Sequence, residues 1–229
     1  MTSCGSPVCD ARGRSCRNDF KKSIYASDDV KDMLWREQHR KCCFCEHKYE
    51  RKFATIEHFR PKTRARNTSG KRNWGYWWLG YAIENLYFCC SNCNTPKNEW
   101  FPLEGRARRY RPKELPWTSS YREPAMILDP GRGDDPEKHI VFLPHPSHGQ
   151  WRIASRTDRG SVTIDKIALD RDDLDELRDD HYDNFLTMVL RHRDNHGPAA
   201  ARPIAAQFAG PRVPFSLLAR CVFRKEGLY

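Results

Sequence analysis

Two Cys-x-x-Cys pairs, Cys42/Cys45 and Cys90/Cys93, enclose an adjacent Glu57-His58 and an Asn85, and the second pair runs on into Asn94 and Lys97. Four thiolates in two close pairs are what a tetrahedral structural zinc requires, each pair presenting two sulfurs about 2.3 Å from the ion. Disulfides or unrelated buried thiols are the bland alternatives; paired spacing of this kind in an intracellular chain points to zinc. Spacing alone also allows a register in which the neighbouring Cys43 and Cys89 are ligands, or one in which His47 substitutes.

The residues between the pairs could hydrolyse a phosphodiester. That reaction needs a base to activate water and a divalent ion to neutralise charge on the phosphate. His58 suits the base, because imidazole titrates near neutral pH. Glu57 is a hard oxygen ligand for magnesium or manganese, and Asn94 can add a second protein oxygen. The Asn85 amide can bond backbone on both sides and hold the histidine-bearing segment in place. Lys97, one helical turn after Asn94, can contact a phosphate. A zinc module that only binds nucleic acid or a partner is the alternative, but binding alone has no need of Glu57 beside His58.

Charge supports a polyanionic partner. Lysine and arginine exceed aspartate and glutamate by 40 to 30, a formal net charge of +10. Arg60, Lys62, Arg64, Arg66, Lys71 and Arg72 follow one another with no acidic residue between them, and Arg106 to Lys113 forms a second basic cluster. The residues from Arg60 to Arg64 are the nearest to the site and are expected to contact substrate. Neither a signal-peptide core in the opening twenty residues nor a twenty-residue apolar run occurs. A cytoplasmic location away from membranes, with reduced thiols free for metal, is therefore expected.

Several elements must position these groups. Ser27 with Asp28 and Asp29 reads as a helix start, with Val30, Met33 and Leu34 at helical spacing as far as Arg40. Phe53 to Phe59 has strand character broken by Pro61, which puts Glu57 and His58 at a strand end. Neighbouring strand residues face opposite ways, so both serve one site only if the strand twists or ends there. The aromatic stretch Trp74 to Tyr81 fits a short helix that is mostly core, and Ser91 is a candidate cap for a helix through Cys93, Asn94 and Lys97. Further on, His139–Leu143 and Gln150–Ser155 read as a hairpin. Asp172–His192 reads as one long helix with Leu174, Leu177, Phe185, Met188 and Val189 on its apolar face. Residues 198–214 read as a proline-rich loop, and Ser216–Phe223 as a closing helix carrying Cys221 in the core.

These motifs resemble the HNH, or ββα-metal, nucleases. The resemblance rests on Cys42-Cys43-Phe44-Cys45, Glu57-His58-Phe59-Arg60-Pro61, Glu84-Asn85-Leu86 and Cys90-Ser91-Asn92-Cys93-Asn94-Thr95-Pro96-Lys97, with the family's nine-residue step from Asn85 to Asn94. It favours Cys42 and Cys90 over Cys43 and Cys89 as ligands. It implies an α+β fold in which a zinc-clamped core is decorated with helices and a small β-hairpin. Ile56 to Lys62, Tyr76 to Tyr81, Phe101-Pro102-Leu103 and Leu128-Asp129-Pro130 are similar more narrowly to the PtuB-like HNH subunits of bacterial Septu and retron-associated antiphage systems. That similarity implies a nuclease effector working with a PtuA-like ATPase subunit. The expected organisation is a cysteine-bearing extension at 1–26, whose Cys4, Cys9 and Cys16 have no assigned role, a nuclease core at 27–115, and a hairpin and helical region at 116–229 packed on that core.

Overall fold

Ser27 starts the first long helix by accepting a hydrogen bond from the Val30 backbone at 3.3 Å, and Asp28 and Asp29 sit where the helix dipole favours acid. The structure, a computed structural model, describes residues 20–131, 133–145 and 150–229; Cys4, Cys9 and Cys16 lie outside them. After a single turn, α1 (Lys22–Tyr25), the Ser27-capped helix α2 spans Asp28–Glu37. It packs on the strand Leu86–Cys90 through Leu34, which joins Tyr25, Ile56, Leu86 and Phe88 in a small apolar cluster.

Strand β1 (Ala54–His58) pairs antiparallel with β4 (Leu86–Cys90), so that Glu57 faces Tyr87 and His58 faces Leu86 across the ladder. Helix α3 (Ser91–Lys97) follows β4 without a linker and packs on both strands. Its cap is Cys90, and Ser91 is already the first helical residue, so the helix starts one position earlier than the sequence reading placed it. Between the paired strands runs a small hairpin of β2 (Arg64–Arg66) and β3 (Arg72–Trp74). The expected helix after it is a single 3-10 turn at Trp77–Leu79, with Tyr76 and Leu79 buried and Trp74 and Tyr81 exposed.

The hairpin predicted in the second half is β5 (Ile140–Pro144) with β6 (Trp151–Ser155). Helix α4 (Asp158–Ile167) packs on both β6 and α3, joining the second half to the motif-bearing half. The long acidic-starting helix is α5 (Asp172–His181) and α6 (Thr187–His196), joined through a π-helical segment at Tyr182–Leu186. An inserted π residue rotates everything after it by about 100°. Leu186 and Val189 are therefore buried, whereas Phe185 and Met188 are 46% and 54% exposed, against the apolar face read from α-helical spacing.

The loop expected at 198–214 is instead largely helix, α7 (Pro198–Phe208). Pro198 stands at the first helical position, where a missing N–H costs nothing, and the alanine run favours helix. Packing against α6 and the closing helix carries it past Pro203. Helix α8 (Ser216–Lys225) closes the fold against β5, and half-buried Cys221 packs at the edge of the core. One apolar cluster runs from the paired cysteines through Phe59, Phe101 and Ile167 to Leu218 and Phe223. No helix among the described residues is long and apolar enough to cross a membrane.

Candidate metal centre and catalytic groove

The turn after α2 brings Cys42 and Cys45 against Cys90, the cap of α3, and Cys93, one turn inside it. All four sulfurs lie within 4.8 Å of one another, and each residue is at most 3% exposed. Cys45 and Cys90 are 3.9 Å apart. A regular tetrahedron with bonds of about 2.3 Å has sulfur edges of about 3.8 Å, so the spacing already suits zinc. Burial works against a thiolate at Cys42, yet hydrogen bonds from the surrounding cysteines hold it well below the ordinary thiol range. The same crowding pushes Cys45 and Cys93 well above it. A divalent cation would remove that mutual repulsion, and the buried four-cysteine cluster could hold a metal ion such as zinc. The chain brings Cys43 and Cys89 only into a three-sulfur group with Cys42, and His47 packs between the rings of Tyr49 and Phe215. Arg171, which no spacing signal marked, sets its guanidinium 3.6 Å from the Cys93 sulfur. Its burial disfavours the charge, but the electrostatic pull of the Cys93 and Cys45 sulfurs more than offsets that and holds its pKa above the ordinary guanidinium value.

The strand problem raised by Glu57 beside His58 is solved by the width of the sheet. Among the described residues β1 pairs only with β4, and its other edge takes no strand. A groove of about 440 Å³ runs along that edge, lined by Glu57 and His58 together with Lys62, Arg64 and Asn94. On one face of β1, Ile56 and His58 meet α1 and α2, where the His58 ring stands edge-on to Tyr25 at 4.7 Å. On the other, Thr55 and Glu57 meet α3: Asn94 Nδ2 donates to Thr55 Oγ1 at 2.6 Å, and Lys97 Nζ pairs with Glu57 Oε1. An open edge lets two opposite-facing neighbours reach one cleft.

His58 Nε2 lies 2.9 Å from the Gly80 carbonyl oxygen. That oxygen can only accept, so Nε2 carries the proton and Nδ1 keeps its lone pair. Lys62 Nζ donates to Nδ1 at 3.4 Å. Burial, reinforced by the positive charge of Lys62, pushes the His58 pKa down to about 3, which keeps the ring neutral at neutral pH. Burial raises the Glu57 pKa, an effect the Lys97 ammonium opposes.

Asn85 pins the chain just after the histidine. Its Oδ1 accepts from Arg60 N at 2.9 Å, and its Nδ2 donates to the carbonyls of Arg60 at 3.0 Å and Leu79 at 3.3 Å. The Pro61–Arg64 segment, which carries Lys62 and Arg64, lies on Gly75: a Cβ there would stand 2.5 Å from the Thr63 carbonyl carbon, so no larger residue fits.

Two residues read as phosphate contacts face elsewhere. Lys97 is fully buried, with its ammonium on Glu57 and on the His58 carbonyl at 3.2 Å. Arg60 is 7% exposed, its Nε donating to Glu123 at 3.0 Å with Asp129 at 3.9 Å. Each is spoken for by an interior carboxylate and lies away from the groove. Glu123 also accepts from Tyr76 OH at 2.5 Å and Tyr110 N at 3.0 Å, tying the segment after His58 to a distant loop. Nothing local marks Glu123, which sits 63 residues from Arg60. Glu123→Ala should cost about 3–5 kcal/mol, because it strands a buried guanidinium. A denaturant midpoint at neutral pH measures it, and a loss under about 1 kcal/mol would mean that Asp129 suffices as partner.

No family model and no solved structure matches the chain. It is 32% identical over 164 residues to the Septu protein PtuB of Bacillus mycoides (strain KBAB4), covering 69% of this chain and 52% of that protein. It is 26% identical over 147 residues to the Septu protein PtuA of the same strain, covering 63% of this chain and 20% of that protein. The chain thus spans about half the length of the first relative and a fifth of the second. The two matched stretches together exceed the 229 residues available, so part of this chain is similar to both Septu proteins.

Proposed function

We propose that the chain is a metal-dependent HNH endonuclease that hydrolyses phosphodiester bonds in nucleic acid, and that it acts in a Septu-like antiphage defence system with a PtuA-like ATPase subunit. The observation that carries this reading is the held, neutral His58, with one ring nitrogen fixed on Gly80 and the other beside Lys62 in a groove shared with Glu57 and Asn94. In the resting site Lys62 donates to the basic nitrogen. An incoming phosphate competes for that ammonium and frees the lone pair to take a proton from water. Glu57 and the Asn94 carbonyl oxygen form a hard donor set for magnesium or manganese, whose charge would stabilise the phosphate oxygens during attack. Asn85 fixes the backbone beyond His58, and Lys97 orients Glu57 from beneath. Similarity to two Septu proteins supports the defence setting.

The test is cleavage of duplex DNA, single-stranded DNA and tRNA by the purified chain with magnesium or manganese, alone and with a PtuA-like protein. Cleavage in either condition is expected, and none in both would overturn the reading. A non-catalytic zinc-containing subunit, binding nucleic acid or a partner, is the second reading. It draws on the Glu57–Lys97 pair, which engages a carboxylate oxygen that a catalytic ion would share. The same assay separates the two.

Lys62 and Arg64 are the basic residues of the Arg60–Arg72 run that line the groove. Replacing both with glutamine should weaken nucleic-acid binding and lower the slope of log K against log salt by about 1 for each phosphate that they neutralise. Fluorescence anisotropy over a salt series reads this, and an unchanged slope would remove them from the substrate path.

A further inference from the structure

Two thiols beside the four-sulfur cluster take no part in it. Cys43 and Cys89 are the chain neighbours of Cys42 and Cys90, and the sulfurs of Cys42, Cys43 and Cys89 lie within 4.8 Å of one another. Cys42 and Cys89 are 3.8 Å apart, the edge length of a zinc–sulfur tetrahedron of about 2.3 Å bonds. The backbone sets this spacing. Cys43 N donates to the Phe88 carbonyl at 3.1 Å, and Cys90 N donates to the Cys42 sulfur at 3.5 Å. The turn is thereby laid along the end of β4, with the Cys42 sulfur standing between both groups.

Buried thiols are commonly inert core. Three features argue against it. All six cysteines are free thiols drawn into one small volume. The two groups share Cys42. Cys43 is partly exposed, where the four members of the first cluster are buried, and with Cys42 and Cys45 it lines a cleft of about 800 Å³ between the turn and the second half of the chain, which gives an ion entry and leaves room for a solvent ligand.

We infer that Cys43 and Cys89, with Cys42 as a shared bridging thiolate, form a second site for a thiophilic divalent ion such as zinc or cadmium. Soft thiolate donors select such ions. Binding releases the protons of Cys43 and Cys89 to solvent; Cys42 is already a thiolate in the first cluster, so the second ion leaves the net charge unchanged. The inference rests on the four-cysteine reading, and its test must tell the two apart.

The experiment is cadmium-113 NMR on the full chain loaded with excess cadmium, beside native mass spectrometry, for the wild type and for Cys43→Ser/Cys89→Ser. Two sulfur-bound resonances with mutual scalar coupling are expected in the wild type, since only a shared thiolate transmits it. One uncoupled resonance and one fewer ion are expected in the variant. A single resonance in the wild type, two without coupling, or coupling that survives in the variant would overturn the second site. Absence of any four-sulfur resonance would instead sink the first cluster. Should the double variant fail to fold, Cys43→Ser alone, at the partly exposed position, must abolish the coupling.

Discussion

Replacing His58 with alanine should reduce cleavage by about 10²–10⁴-fold, the usual contribution of a positioned general base, while nucleic-acid affinity and zinc content stay close to wild type. Alanine also strips the Gly80 carbonyl of its partner, which by itself costs about 1–3 kcal/mol. His58→Gln separates the two effects. A glutamine amide can still donate to Gly80 but has no basic nitrogen, so it should be as inactive as alanine and measurably more stable. Single-turnover cleavage read beside a denaturant midpoint makes the distinction. A glutamine variant that keeps more than about a tenth of the activity would refute the base role; equal stability of the two variants would refute the importance of the Gly80 contact.

This assignment depends on neighbours that differ greatly in how far the sequence reveals them. Cys42, Cys45, Cys90 and Cys93 announce themselves because ligand spacing is local. Strand β1 does so because β-branched and aromatic residues end at Pro61, and the capped start of α2 does so because Ser27 and two aspartates are adjacent. What fails to show is whatever depends on distance. Arg60, in a basic stretch, and Lys97, just after the second cysteine pair, look like free cations. Their partners are Glu123, far along the chain, and Glu57, across the fold on β1. Residues 198–208 look like a loop because two prolines count against helix, and only packing against α6 and α8 decides otherwise. The π segment at Tyr182–Leu186 leaves no compositional trace, so the helix is legible and its buried face is not.

The two misplaced cations alter the chemistry attributed to the groove. A basic run of six residues looks like a continuous phosphate track. Once Arg60 is withdrawn into the Glu123 network, and Arg72 and Arg66 lie at 2.8 Å and 3.9 Å from Glu99, the part of that run left in the groove is Lys62 and Arg64 beside His58, joined there by Lys22 and Lys31 from α1 and α2. Phosphate contacts position a substrate without reading its sequence. Such contacts leave selection to the surrounding surface or to a partner subunit, as the proposed pairing of a nuclease with an ATPase requires.

Removing a metal held by the four-cysteine cluster should have the largest effect on stability. Structural zinc contributes an apparent 10–16 kcal/mol at neutral pH, as much as the whole stability of an ordinary domain of about 5–15 kcal/mol. The four cysteines belong to the same apolar cluster as Leu218 and Phe223 of α8. Loss of metal is therefore expected to reach well beyond the turn and α3. Cys93→Ser, or a strong chelator on the wild type, should lower hydrogen-exchange protection in β4 and in α8 together. Cys43→Ser, outside the four-sulfur set, should leave protection in both intact. Protection that persisted in α8 while β4 opened would mean that the second half holds its own core, and that α4 against α3 is a docking contact between separable units. A cooperative loss would tie the groove, the metal and the closing helix into one folding unit, because Cys90 and Cys93 fix the start of the helix that carries Asn94 against Thr55 and Lys97 against Glu57.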